Sequence, residues 1–83
     1  SLDGYRADAG LDRTVTAGTV ATLAAQAELA VPPHRCAWFD GARPIAATCT
    51  TTVSPSATTA YSVVVTDAFD RVRSDSVTVV VQP

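Results

Sequence analysis

The strongest constraint on this chain is a pair of alternating, valine-rich runs in its last third. Tyr61, Val63 and Val65 alternate with Ser62, Val64 and Thr66, a turn-rich segment spans Asp67 to Arg71, and Ser76 to Val81 alternates again. A period of two places Tyr61, Val63 and Val65 on one face of a strand, and Val77, Val79 and Val81 on one face of the next. Adjacent runs joined by a short turn pair as an antiparallel hairpin. Val64 and Val80 leave the opposite face only partly polar. Something must cover the valine stripe. With 83 residues there is room for one small domain. Although 47% of the residues are apolar, Ala and Val supply much of that share. The core is therefore thin and built mainly from valines.

The remaining segments read as further short strands. Arg13 to Thr16 alternates between Gly10 and Gly18, which suggests an edge strand between turns. Thr19 to Val31 has helical propensity in its Ala, Leu, Gln and Glu residues, yet alternation and the neighbouring segments favour a strand over Thr19 to Ala25, followed by a loop through Pro32 and Pro33. Arg35 to Phe39 places Cys36 and Trp38 on one face, and Asp40-Gly41 marks a turn. Cys49, Thr51 and Val53 share a face before Ser54-Pro55-Ser56 breaks the run. The expected fold is all-β, a β-sandwich of about seven short antiparallel strands. Its core is expected from Leu23, Trp38, Val53, Tyr61, Val63, Val65, Val77 and Val79. Residues 1–6 read as a linker or lead-in, residues 7–82 as the domain, and Pro83 as the start of another linker.

Several function classes find no support. No stretch approaches 18 apolar residues, so no membrane insertion is expected. Ser1 to Ala9 carries no basic region followed by an apolar core, the pattern of a secretory leader. The six arginines are scattered and the net charge is -2, so no basic stripe for nucleic acid emerges. Arg71 and Arg73 read as part of a solvated hairpin. Lys and Asn are absent, which removes Lys–Asn isopeptide crosslinking and N-glycosylation.

Cys36 and Cys49 allow one internal pairing. The alternatives are a disulfide or two buried thiols of a cytosolic protein, and a small, thin-cored domain favours the disulfide. Closing so short a loop is worth about 2–3 kcal/mol in the chain-entropy account. It also implies an oxidising, extracytoplasmic compartment. A zinc site lacks companion ligands, because His34 is the only histidine and there is no second cysteine pair.

The segments DAGLDRTVTAGTVATLAA, CAWFDG and TTTVSPSATTAYSVVVTDAFDRVRSDSVTVVV together resemble the polycystic-kidney-disease-type (PKD) domain and related bacterial immunoglobulin-like modules. Ala9-Gly10 and Thr14-Val15 resemble the opening of that family. Gly18, Ala21 and Leu23 stand where it carries a turn glycine and inward residues of its second strand. Trp38 stands at its central core aromatic. Tyr61, Val63, Val65, Thr66 and Asp67 match its most specific signature, and Val77, Val79 and Val81 its last strand. Phe39-Asp40-Gly41 replaces its usual Gly-Asp-Gly turn. Asp70 replaces a glycine, and aspartate tolerates the left-handed conformation that the turn requires. The resemblance implies an immunoglobulin-like sandwich in a secreted or cell-surface multidomain protein. Its neighbouring domains would be hydrolases, proteases or adhesins. Arginine without lysine, in an Ala-rich chain, is associated with high-GC bacteria.

No residue set stands out for catalysis. His34, beside Pro32-Pro33, reads as an exposed loop residue rather than a base. Asp67 and Asp70 bracket a hairpin turn rather than a cleft, and the Asp67 carboxylate is expected to accept turn N–H groups. In immunoglobulin order, Asp8, Glu28, Asp67 and Asp70 approach one end, where four carboxylates could serve calcium. Arg35, Arg71 and Arg73 map near that end and would neutralise them, so salt bridges and turns are the preferred reading and no cofactor is expected. Among the aromatics, Phe39 and Phe69 are the candidates for contact with a partner. The sequence thus points to a non-catalytic accessory or spacer module of an extracellular hydrolase, contacting neighbouring domains of its own chain. The competing expectation is an adhesion module for a polysaccharide or protein ligand.

Overall fold

A computed structural model describes residues 4–83. Its strands are β1 (Arg6–Asp8), β2 (Arg13–Thr16), β3 (Ala21–Ala24), β4 (Gln26–Glu28), β5 (Arg35–Asp40), β6 (Arg43–Ala46), β7 (Thr50–Val53), β8 (Thr59–Thr66) and β9 (Val72–Gln82). No helix occurs among the described residues, so the chain is all-β. A five-stranded sheet runs in the order β2-β9-β8-β5-β6, beside the two-stranded pairs β1-β4 and β3-β7. Only Ala25 separates β3 from β4, so the two pairs continue one another along the same run of chain. Leu23 and Ala21 from that run and Trp38, Val63, Val65, Val77 and Val79 from the large sheet share one buried cluster. Sheets enclosing a common apolar core are compatible with a β-sandwich.

The hairpin expected from the alternating runs is the centre of the large sheet. β8 and β9 pair antiparallel from Thr59↔Val79 to Thr66↔Val72, and β5 pairs with the other side of β8. Seven of the eight expected core residues are buried: Leu23, Trp38, Tyr61, Val63, Val65, Val77 and Val79. Val53 is only half-buried and packs against the cluster, because β7 has a strand neighbour on one side alone. Val81 is also half-buried, being near the far end of β9.

Three expectations need correction. The strand count is nine among the described residues, not about seven, and one pairing is parallel: β2 lies beside β9 from Arg13↔Val79 to Thr16↔Gln82. The chain crosses from β1 in one layer to β2 in the other without reversing, so β2 meets β9 running the same way. Two aspartates hold that crossing. The Ala9 N–H donates to Asp75 Oδ2 at 2.7 Å, and the Thr78 N–H to Asp12 Oδ1 at 2.9 Å. Second, β4 lies inside the loop expected before Pro32, and β6 forms in spite of Pro44, which is tolerated because β6 is an edge strand. Third, the lead-in over residues 1–6 is shorter than expected. Residues 1–3 lie outside the described residues, but Tyr5 is a core residue and Arg6 begins β1.

Two turns carry the left-handed residues that their geometry demands. The two-residue loop between Asp40 and Arg43 begins with Gly41 at φ 60°, as a II′ hairpin turn requires. Asp70 has φ 61°, so aspartate does take the glycine-type conformation in the last hairpin.

Candidate functional site

The polar residues converge at the end of the body where Tyr5 enters. Tyr5 is 3% exposed, and its hydroxyl donates to the Val65 carbonyl at 3.0 Å and the Arg71 carbonyl at 3.2 Å. The guanidinium carbons of Arg71 and Arg73 each lie 4.8 Å from its ring centroid. Arg73 Nε also donates to the Tyr5 carbonyl at 3.0 Å. Cations over an aromatic face are attracted by the ring quadrupole. Arg71 and Arg73, two apart on β9 and its approach, thus hold the first strand instead of forming a solvated hairpin. Tyr5 was legible in principle: Tyr5, Ala7 and Ala9 alternate inward with Arg6 and Asp8 outward.

Asp67 organises the turn beside this ring. It is 1% exposed. Its Oδ1 accepts the backbone N–H groups of Phe69 and Arg71, both at 3.0 Å, in keeping with the role expected for a turn aspartate. Its Oδ2 accepts Arg71 Nε at 2.8 Å and the Val31 N–H at 3.3 Å, and lies 2.7 Å from Arg71 Nη2. The Ala68 N–H returns a bond to the Val31 carbonyl at 2.9 Å. One carboxylate therefore ties the β8–β9 turn to the loop between β4 and β5. Desolvation pushes the Asp67 pKa up, but the Arg71 side chain and the N–H groups of Arg71, Val31 and Phe69 outweigh it and hold the value at about 2.

The four carboxylates that could have served calcium are engaged separately. Glu28 lies 3.1 Å from Arg6, Asp70 lies 3.9 Å from Arg35, and Asp67 is held by Arg71. Asp8 accepts the Gly10 N–H at 2.8 Å. Among the described residues these acids form no group with metal-binding proximity. Phe69 at the hairpin tip is 72% exposed, whereas Phe39 is half-buried opposite Ser62 and Pro44.

Cys36 and Cys49 form the expected disulfide, with their Cα atoms 4.8 Å apart. It links β5 of the large sheet to the residue preceding β7 of the facing pair. The Cys49 carbonyl accepts the Ala25 N–H at 2.8 Å and Trp38 Nε1 at 3.0 Å. His34 is exposed, as expected, but it does not stand apart: its ring and the two sulfurs lie within 4.8 Å of one another.

No family model matches the chain, and no curated protein matches it.

At the opposite end of the body lies an open groove of about 440 Å³, whose walls include Asp40, Arg43, Ile45, Val53, Pro55 and Tyr61. Asp40 and Arg43 pair with each other at 3.1 Å within its lining. The cationic and anionic groups of this groove satisfy each other, and its aromatic, Tyr61, is buried in the core.

Proposed function

We propose that this chain is a non-catalytic, immunoglobulin-like spacer module of a secreted or cell-surface multidomain bacterial protein, in the manner of the PKD-type domains its sequence resembles. The observation that carries this reading is the path of the chain through the body. It enters at Tyr5, beside Arg71 and Arg73, and β9 then runs 11 residues to Gln82. At about 3.3 Å per residue this separates the two points of connection by roughly 33 Å. The body measures 43 × 21 × 18 Å, so entrance and exit lie towards opposite ends of its long axis. Domains attached at these two points would be held apart.

Further support comes from how the chemistry-bearing groups are used. The carboxylates and guanidinium groups at the Tyr5 end hold strands together. A disulfide in a small domain is consistent with an extracellular location. The sheet order, with a first strand in one layer and its continuation parallel to the last strand in the other, suits an immunoglobulin-like sandwich. The flanking catalytic domain envisaged is an extracellular hydrolase.

The adhesion reading rests on Phe69, which is exposed at the tip of the last hairpin. One experiment separates the two. Fluorescent proteins fused to either end should stay at a constant, spacer-like separation by energy transfer and small-angle scattering. The same fusion should pass unretained over insoluble chitin, cellulose and collagen. Retention that is lost on Phe69→Ala would overturn the spacer reading in favour of adhesion.

A further inference from the structure

His34 and Cys36 are two residues apart, so an extended backbone through Arg35 sends their side chains to the same face. The third member comes from a distant part of the chain, Cys49 before β7. One ring nitrogen and two sulfurs within 4.8 Å of one another are the donor set of a Cys₂His metal centre. While the sulfurs are bonded to each other they carry no thiolate charge, and such a centre is closed.

Reduction changes the donors. A two-electron reductant of the dithiol or phosphine class supplies two electrons, two protons are taken up, and the S–S bond gives way to two thiols. A divalent cation then displaces both thiol protons and takes the neutral imidazole. We propose that the reduced chain carries a redox-gated site for a thiophilic divalent cation, zinc foremost, formed by His34, Cys36 and Cys49 with a fourth position open to water.

Two observations and two chemical arguments support it. The sulfurs need to part to roughly 3.8 Å to share a tetrahedral zinc with bonds of about 2.3 Å, a movement that side-chain rotation supplies. The backbone at Cys49 has anchors that do not depend on the disulfide, because its carbonyl is held by the Ala25 N–H and Trp38 Nε1. Access is also provided: Cys36 is buried, but Cys49 is half-buried and His34 is exposed, so the open position faces solvent. Two thiolates and a divalent cation sum to zero charge, which suits a half-buried location.

The test uses the 83-residue chain, reduced with a phosphine under argon and then freed of the reductant. Titration with Co²⁺ should give one-to-one thiolate-to-cobalt charge transfer in the near ultraviolet and tetrahedral d–d bands, with zinc displacing the cobalt. The oxidised chain should give neither. His34→Ala retains the disulfide and should melt like the wild type when oxidised. When reduced, it should bind at least tenfold more weakly, since loss of even an outer-shell partner costs roughly ten- to a hundredfold. If reduction unfolds the chain, zinc should restore the native far-ultraviolet spectrum and Trp38 emission in the wild type but not in His34→Ala. Equal cobalt affinity of the two reduced proteins would overturn the proposal, as would no uptake by the reduced wild type, or zinc refolding both alike.

Discussion

Two hairpin turns in this molecule each pair an aspartate with a following arginine, and they do so with very different consequences. Asp40 and Arg43 flank the β5–β6 turn at 3.1 Å, with side chains 37% and 73% exposed. Asp67 and Arg71 flank the β8–β9 turn at 2.7 Å, with side chains 0% and 28% exposed. The exposed pair is one contact between solvated groups, of the kind that contributes about 0–1 kcal/mol. The buried pair also receives N–H groups from Phe69, Arg71 and Val31, and the ring of Tyr5 lies under the same arginine. Similar residues at similar spacing are decorative in one turn and structural in the other. Burial makes the difference, because a carboxylate out of water must find all its partners in the protein.

Mutations at the two turns should separate them, beginning with the largest effect. Asp67→Ala leaves the Arg71 guanidinium and three N–H groups without their shared acceptor, and should lower the melting temperature more than any of the substitutions that follow. Hydrogen exchange should show the β8–β9 turn and the loop around Val31 opening together. A melting shift no larger than that of Asp40→Ala would refute the contrast. Next, Tyr5→Ala should cost about 3–5 kcal/mol, as for other buried aromatics truncated to alanine. Tyr5→Phe, which keeps the ring under Arg71 and Arg73, should cost only about 1 kcal/mol. Urea titrations of the two variants would measure the split, and equal losses would show that the hydroxyl, not the ring, holds the first strand.

Replacing both cysteines by alanine removes a link across 13 residues and should cost about 3 kcal/mol. In that variant the Asp40–Arg43 hairpin should exchange its amides before the Asp67–Arg71 hairpin does. The reverse order would mean that the polar cluster is the weaker tie. Acid should expose the same asymmetry. The Asp67 pKa of about 2 lies below its ordinary value of 3.8, so its contribution is present above the ordinary value and is lost as pH falls through about 2. Melts from about pH 5 down to about pH 2 should therefore show a loss of stability that is smaller in Asp67→Asn. Parallel curves would contradict the role given to this carboxylate. The smallest effect is expected from Arg43→Ala, within about 0.5 kcal/mol of wild type in a chemical melt.

The valine hairpin was readable because the pleat converts a period of two directly into sides. Nothing distant is needed to place Val63 and Val65 opposite Ser62 and Val64. The same logic paired Cys36 with Trp38 on one face, and turn chemistry alone gave Asp67 N–H partners within its own turn, though not Val31, and allowed Asp70 its positive φ. The loss of Tyr5 to a lead-in has a physical origin. A three-residue strand, Arg6–Asp8, whose inward stripe is only Tyr5, Ala7 and Ala9, is a weak local signal, and the placing of Tyr5 depends on arginines 66 and 68 residues away. β6 failed to register for a related reason: Pro44 excludes a central strand, and only the finished sheet shows that β6 is an edge.

The sequence by itself thus determined an all-β domain, the inward stripes of its central strands and the one available disulfide. These are set by nearest-neighbour geometry and by the count of cysteines. Tertiary structure alone decided that β2 runs parallel to β9, that the Tyr5 ring packs against two arginines, and that His34 comes within 4.8 Å of the sulfurs. It also decided which Asp–Arg pair bears on stability. Each of these depends on where chain segments far apart in sequence meet, and on how much water that meeting leaves around a charge.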